Sequence, residues 1–146
     1  VERSRGLGDV YKRQKLNSCL VLSCCYQAMG ENAAAFDILF YSFTMDVPRA
    51  EICCEIGRLF MEKREYVTAA YWYQQALLAP RKKKNGGFYI ADSHDFIPAI
   101  QMCVCLDKAG RHREAFEFHK KVRVLKPLHQ AVIGNEKYFR DVWGME

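Results

Sequence analysis

The chain has 146 residues, of which half are hydrophobic and 13% are aromatic. This length supports one domain with a substantial core, and the composition excludes a largely disordered protein. The net charge of +5 is concentrated in the first 14 residues and in the run RKKK at residues 81–84. The remaining charge is nearly balanced, which argues against a nucleic-acid-binding face. No apolar run reaches the roughly 18–20 residues of a membrane span.

Seven helices are predicted from the spacing of apolar residues, at 15–29, 33–45, 48–63, 65–79, 96–109, 112–125 and 128–142. Gly30 and Gly110 are typical helix C-terminal residues, and Pro80 ends the fourth helix. Asn32 and Asp95 are predicted N-caps of the helices that follow them. Residues 81–94 begin with four basic residues and contain an Asn-Gly-Gly sequence, so they are predicted to form an irregular insert. Within it we expect 81–87 to be mobile and Phe88 to be packed.

Residues 1–14 show no helical or strand period. Their sequence SRGLGDVYKRQ resembles a translated sequencing adapter, so we interpret 1–14 as a non-native or disordered tail. Basic residues before the apolar stretch at 16–25 have some likeness to a secretion signal. The helical pattern continues past this stretch to Met29, which favours a folded helix instead.

The seven cysteines show no metal-binding pattern. Neighbours on a helix, such as Cys24 and Cys25, point about 100° apart and cannot bind one ion from one face. The four histidines add no ligand at a suitable spacing. We therefore expect buried, reduced thiols, which indicates the cytoplasm.

Three helix pairs, at residues 15–47, 48–80 and 95–127, repeat one pattern of small and large apolar residues. Ala35, Ala69 and Ala115 are equivalent, at separations of 34 and 46 residues. The equivalent sets elsewhere are Cys19/Cys53/Ala99, Leu22/Ile56/Met102, Ser23/Gly57/Cys103, Tyr26/Phe60/Leu106, Leu39/Tyr73/His119 and Ser42/Ala76/Val122. Small residues allow the helices of a pair to approach closely, and large ones fill the space between pairs.

This pattern resembles the tetratricopeptide repeat family, whose helix pairs recur every 34 residues. The resemblance implies an all-α, right-handed helical solenoid over residues 15–142. It would consist of three helix pairs and a C-terminal capping helix at 128–142. That last helix is predicted to place Ala131, Val132, Tyr138 and Phe139 on one side. An unrelated helical bundle would show no fixed period.

A narrower resemblance lies in PRAEICC at residues 48–54, YWY at 71–73, GGF at 86–88, and FIP at 96–98 followed by QMCVC at 101–105. These segments resemble the C-terminal repeat region of bacterial family 2 glycosyltransferases. The resemblance implies a fragment of an enzyme whose N-terminal domain uses a nucleotide sugar and a divalent metal held by Asp-x-Asp. Nothing in this chain matches that domain, and DSHD at 92–95 has the wrong spacing. No catalytic, cofactor or metal residue is therefore predicted within the chain.

The expected function is binding of a protein or peptide, including an acceptor or a second copy of the chain. The first helices would line the concave side of the array. The candidate binding residues there are Asn17, Glu51, Arg58, Met61 and Asp107, with Cys24, Cys54 and Val104 beside them. Each could equally be an ordinary helix position. The alternative function is a stand-alone tetratricopeptide scaffold or adaptor. A small enzyme is disfavoured, because no catalytic constellation is evident.

Overall fold

The computed structural model describes residues 2–81 and 91–146. Seven α-helices are present in these ranges: α1 (Glu2–Ala28), α2 (Asn32–Tyr41), α3 (Ala50–Glu62), α4 (Tyr66–Leu78), α5 (Phe96–Lys108), α6 (His112–Leu125) and α7 (Gln130–Trp143). Short 3₁₀ turns occupy Ser42–Thr44 and Ala91–Ser93. The described residues contain no strand, so the protein is all-α as predicted.

Consecutive helices pack against each other along the chain. The most extensive contacts join α1 to α2, α3 to α4 and α5 to α6, and α4 also packs closely on α5. Helix α7 lies on α6, where Val132 and Phe139 are buried. The molecule is therefore built from three helical hairpins and a last helix that covers the third.

The three hairpins share one turn. Gly30, Arg64 and Gly110 each adopt a left-handed conformation, with φ of 75°, 60° and 83°. The residue after each donates its amide to the carbonyl of the residue five positions earlier, a Schellman arrangement. These bonds run from Glu31 to Tyr26, from Glu65 to Phe60 and from Arg111 to Leu106, at 2.8, 3.0 and 2.8 Å. The same local geometry thus recurs at the spacing that the sequence pattern predicts.

One set of equivalent positions in the three hairpins is also buried alike. Ala35, Ala69 and Ala115 are fully buried, one in the second helix of each hairpin. In the middle hairpin α3 and α4 approach closely: a Cβ placed on Gly57 would come within 2.9 Å of Cε2 in the buried ring of Tyr73. A side chain at position 57 would therefore displace the ring of Tyr73 or separate α3 from α4. Such internal packing accounts for the repeat of small residues in the sequence.

Several predicted boundaries are wrong. Helix α1 begins at Glu2, so residues 2–14 continue the helix and do not form an irregular tail. No proline interrupts this stretch, and its two glycines, Gly6 and Gly8, are accommodated within the helix. Glu31, not Asn32, is the N-cap of α2, because the left-handed Gly30 leaves the next residue outside the helix. Helix α3 starts at Ala50, two residues after the predicted Pro48.

Other predictions are confirmed or corrected at single residues. Asp95 caps α5 by accepting a hydrogen bond from the amide of Phe96. On α7, however, Ala131 and Tyr138 are exposed, since that helix presents only a narrow stripe to α6. Cys24 and Cys25 are exposed, whereas the other five cysteines are buried as expected. The predictions for residues 82–87 and for Phe88 lie outside the described residues.

Candidate interaction face

Arg58 on α3 is the most connected of the predicted binding residues. Its guanidinium pairs with Glu55 at 2.5 Å and with Glu62, both on the same helix. It also donates to the side-chain oxygen of Gln27 on α1. The spacings of three and four residues place all three α3 side chains on one face. Arg58 therefore binds the first hairpin to the second, while its side chain stays 42% exposed.

Gln27 and Glu55 complete this network. The amide of Gln27 donates to Glu55 and to the buried hydroxyl of Ser23, both at 3.0 Å. Burial acts to raise the pKa of Glu55, but hydrogen bonds from Arg58 and Gln27 outweigh it and leave that pKa lowered. Glu55 in turn raises the pKa of Arg58 through their hydrogen bond. The network thus combines charged and polar side chains, and its hydrogen bonds join Gln27 on α1 to Glu55 and Arg58 on α3.

Asp107, another predicted binding residue, belongs to a second network near the end of α5. One carboxylate oxygen lies 2.7 Å from Nδ1 of His112, and the other accepts a 2.8 Å hydrogen bond from the hydroxyl of Tyr138. Trp143 donates to the same hydroxyl at 3.2 Å and stacks on His112 with ring centroids 3.7 Å apart. The pKa of Tyr138 is raised, chiefly because its hydroxyl is bonded to Asp107. Asp107 therefore connects α5 to α6 and α7.

The three remaining predicted residues differ in environment. Glu51 is half-buried, with a carboxylate oxygen 3.9 Å from Nε2 of the buried His94. Met61 is half-buried and packs against the central core. Asn17 is exposed on α1. Of the five predicted residues, Arg58 and Asp107 are held in separate networks, so the structure does not bring the five together around one pocket.

The three additional positions also differ in exposure. The thiol of Cys54 is buried and donates to the carbonyl of Ser93 at 3.4 Å, while Cys24 is exposed and Val104 is half-buried. Burial raises the pKa of Cys53, Cys103 and Cys105 to about 12 in each case. These thiols are protonated at neutral pH, and their role is packing rather than chemistry.

A third network holds α7 against α6, and no sequence pattern indicated it. His119 is fully buried, and its Nε2 lies 2.9 Å from a carboxylate oxygen of Glu136. Arg123 donates to the other oxygen of Glu136 at 2.9 Å. The hydrogen bond with His119 is the main cause that lowers the pKa of Glu136. His119 occupies the position of Leu39 and Tyr73 in the repeat, and that pattern gives no indication of its contact with Glu136.

Residues 2–81 and 91–146 contain no group of three or more His, Cys, Asp or Glu side chains that could hold a metal ion. No helix among them is both long enough and apolar enough to cross a membrane. No family model, curated protein or solved structure matches the chain significantly. The fold thus defines the protein as an all-helical chain of repeated hairpins, and the polar networks are its candidate functional features.

Proposed function

We propose that this chain is a non-catalytic interaction module of the tetratricopeptide type, with its three hairpins arranged as a right-handed solenoid. The observation that carries the proposal is the shared turn, in which Gly30, Arg64 and Gly110 adopt the same conformation at separations of 34 and 46 residues. The equal burial of the three repeated alanines supports it. Arrays of this kind bind partners on an extended surface and need no catalytic group.

The partner in this proposal is a protein or peptide segment. An extended peptide carries backbone donors and acceptors that need polar side chains on the receptor. Asn17, Glu51 and Arg58 have such groups, and the half-exposed guanidinium of Arg58 can exchange one intramolecular partner for a peptide carbonyl. Met61 supplies apolar contact, and Asp107 supplies a carboxylate at the far end of the surface.

We further propose that the module belongs to a cytoplasmic bacterial glycosyltransferase of family 2. The segments at residues 48–54, 86–88 and 96–105 support this part through their resemblance to that family. The nucleotide sugar and divalent metal would be bound by a separate catalytic domain, and the repeats would hold the acceptor or a second subunit. The reading frame that contains residues 15–146 should then also encode a strand–helix domain with Asp-x-Asp. Further repeats in its place would identify a stand-alone scaffold.

A binding experiment tests the interaction role directly. Peptides selected from a random displayed library against the immobilised chain would be titrated calorimetrically into the soluble protein. Arg58→Ala should weaken binding about tenfold or more, which corresponds to about 1.4 kcal/mol. Arg111→Ala is the matched control. Arg111 likewise forms an ion pair with a glutamate three residues away, Glu114, but it lies on an exposed turn outside the candidate binding residues. If Arg58→Ala and Arg111→Ala bind the peptides with equal affinity, Arg58 is not part of the binding site. If no peptide is selected at all, the proposed peptide-binding role is contradicted.

A further inference from the structure

One face of α1 is exposed to solvent, whereas the equivalent faces of α3 and α5 are buried. Ser18, Leu22 and Cys25 lie three and four residues apart, so they form one stripe along the helix. All three are exposed, and Leu22 is 44% exposed. Nearby on the same stretch, Val21 and Met29 are each 62% exposed. This part of α1 therefore presents apolar side chains to solvent.

The equivalent stripe on α3 is completely buried. Thirty-four residues after the α1 stripe lie Ile52, Ile56 and Leu59, none more than 1% exposed. They form one cluster with Ala35 and Leu39 of the preceding helix, α2. On α3 this face is thus the contact with the hairpin before it.

The same holds for α5. Its stripe at Pro98, Met102 and Cys105 is buried, and α4 packs extensively on that helix. Two of the three first helices therefore bury this face under a helix, and the third, α1, does not. The repeat positions of the α1 stripe are therefore those that contact a helix in the other two hairpins.

We propose that a second copy of this chain covers the stripe, by antiparallel pairing of the two α1 helices with their crossing near Leu22. This inference rests on the proposed repeat architecture and names one partner of the module. Residues 16–30 contain no charged side chain, while Lys15 and Glu31 on either side carry opposite charges. Neither forms an ion pair with a residue in the described ranges. Antiparallel pairing brings Lys15 of one copy near Glu31 of the other, twice in a two-fold dimer.

An antiparallel interface of this kind is self-complementary in charge. A parallel arrangement would place Lys15 beside Lys15 and Glu31 beside Glu31, and like charges in contact oppose association. The exposed stripe has an aliphatic centre at Leu22, flanked by the small residues Ser18 and Cys25. Small flanking residues allow two helix backbones to approach closely around that centre.

Sedimentation equilibrium of the whole 146-residue chain tests the dimer. The wild-type chain should populate a dimer, and Leu22→Glu should weaken it at least tenfold without loss of helicity. Val124→Glu is the control, because Val124 is 81% exposed on α6 and lies outside the stripe. Glu31→Lys should also weaken the dimer, and Lys15→Glu in the same chain should restore it.

A monomeric wild-type chain, or equal dimerisation by the Leu22 and Val124 variants, would overturn the inference. A monomeric wild-type chain would favour another helical hairpin, and not a second copy, as the partner that covers the α1 stripe. Calorimetric titration of the selected peptides into the Leu22→Glu variant separates this result from the proposed function. If the chain binds peptide but does not dimerise, the proposed peptide-binding function is kept and only the proposed dimer is rejected. A dimer that binds no peptide removes the peptide-binding role and keeps the interface.

Discussion

The contact between Gly57 and Tyr73 leads to a prediction with an internal control. A methyl group at position 57 would lie 2.9 Å from Cε2 and 3.0 Å from Cζ of the tyrosine ring. The ring is 1% exposed, so it has no free space into which to move. Gly57→Ala must therefore separate α3 from α4 or displace Tyr73. Added volume in a packed core costs about 1–3 kcal/mol.

Helix propensity acts in the opposite direction. Alanine in a helix interior is more favourable than glycine by about 1 kcal/mol. The net destabilisation from Gly57→Ala should thus be about 0–2 kcal/mol. Gly134 is also inside a helix, α7, but no atom lies within 4 Å of a Cβ built there. Gly134→Ala should gain the propensity without the clash and stabilise the protein by about 1 kcal/mol.

Urea unfolding followed by far-UV circular dichroism would measure both free energies. The variants should differ by about 1–3 kcal/mol, which is the cost of the contact with Tyr73. In a Tyr73→Leu background the ring atoms are absent, so most of this difference should disappear. Equal stabilisation by both alanines in the wild-type background would refute the close approach of α3 and α4.

The remaining predictions concern the turns, a charged network and the thiols. Arg64→Gly should raise the free energy of unfolding by about 1 kcal/mol, because glycine adopts the left-handed conformation without strain. Gly110→Ala should lower it by a similar amount in the same urea assay. The folded-state pKa of Glu55 is lowered, so its contribution is complete above its ordinary pKa and is lost as pH falls through the folded value. Glu55→Gln should therefore lose less stability than wild type between neutral and acid pH, and an equal loss would contradict this. Ellman's reagent should label Cys24 and Cys25 in the native chain and all seven cysteines only after unfolding; labelling of a third native thiol would contradict the burial pattern.

The candidate site was only partly predictable. Glu55, Arg58 and Glu62 follow the three- and four-residue spacing of one helix face, so their ion pairs could be inferred from sequence. Gln27 could not, since its partner lies 31 residues away and no local spacing indicates which helices meet. For the same reason the sequence indicated Asp107 as a candidate binding residue but did not indicate its contacts with His112 and Tyr138.

The sequence by itself determined the helical class, most helix limits and the repeat positions of Ala35, Ala69 and Ala115. These follow from local rules, because apolar spacing, glycine at a turn and proline after a helix act within a few residues. Tertiary structure decided which faces are covered. Leu22 and Ile56 occupy equivalent positions, yet Ile56 is fully buried and Leu22 is 44% exposed. Burial depends on the neighbouring helix, and Ile56 packs against Ala35 and Leu39 of α2.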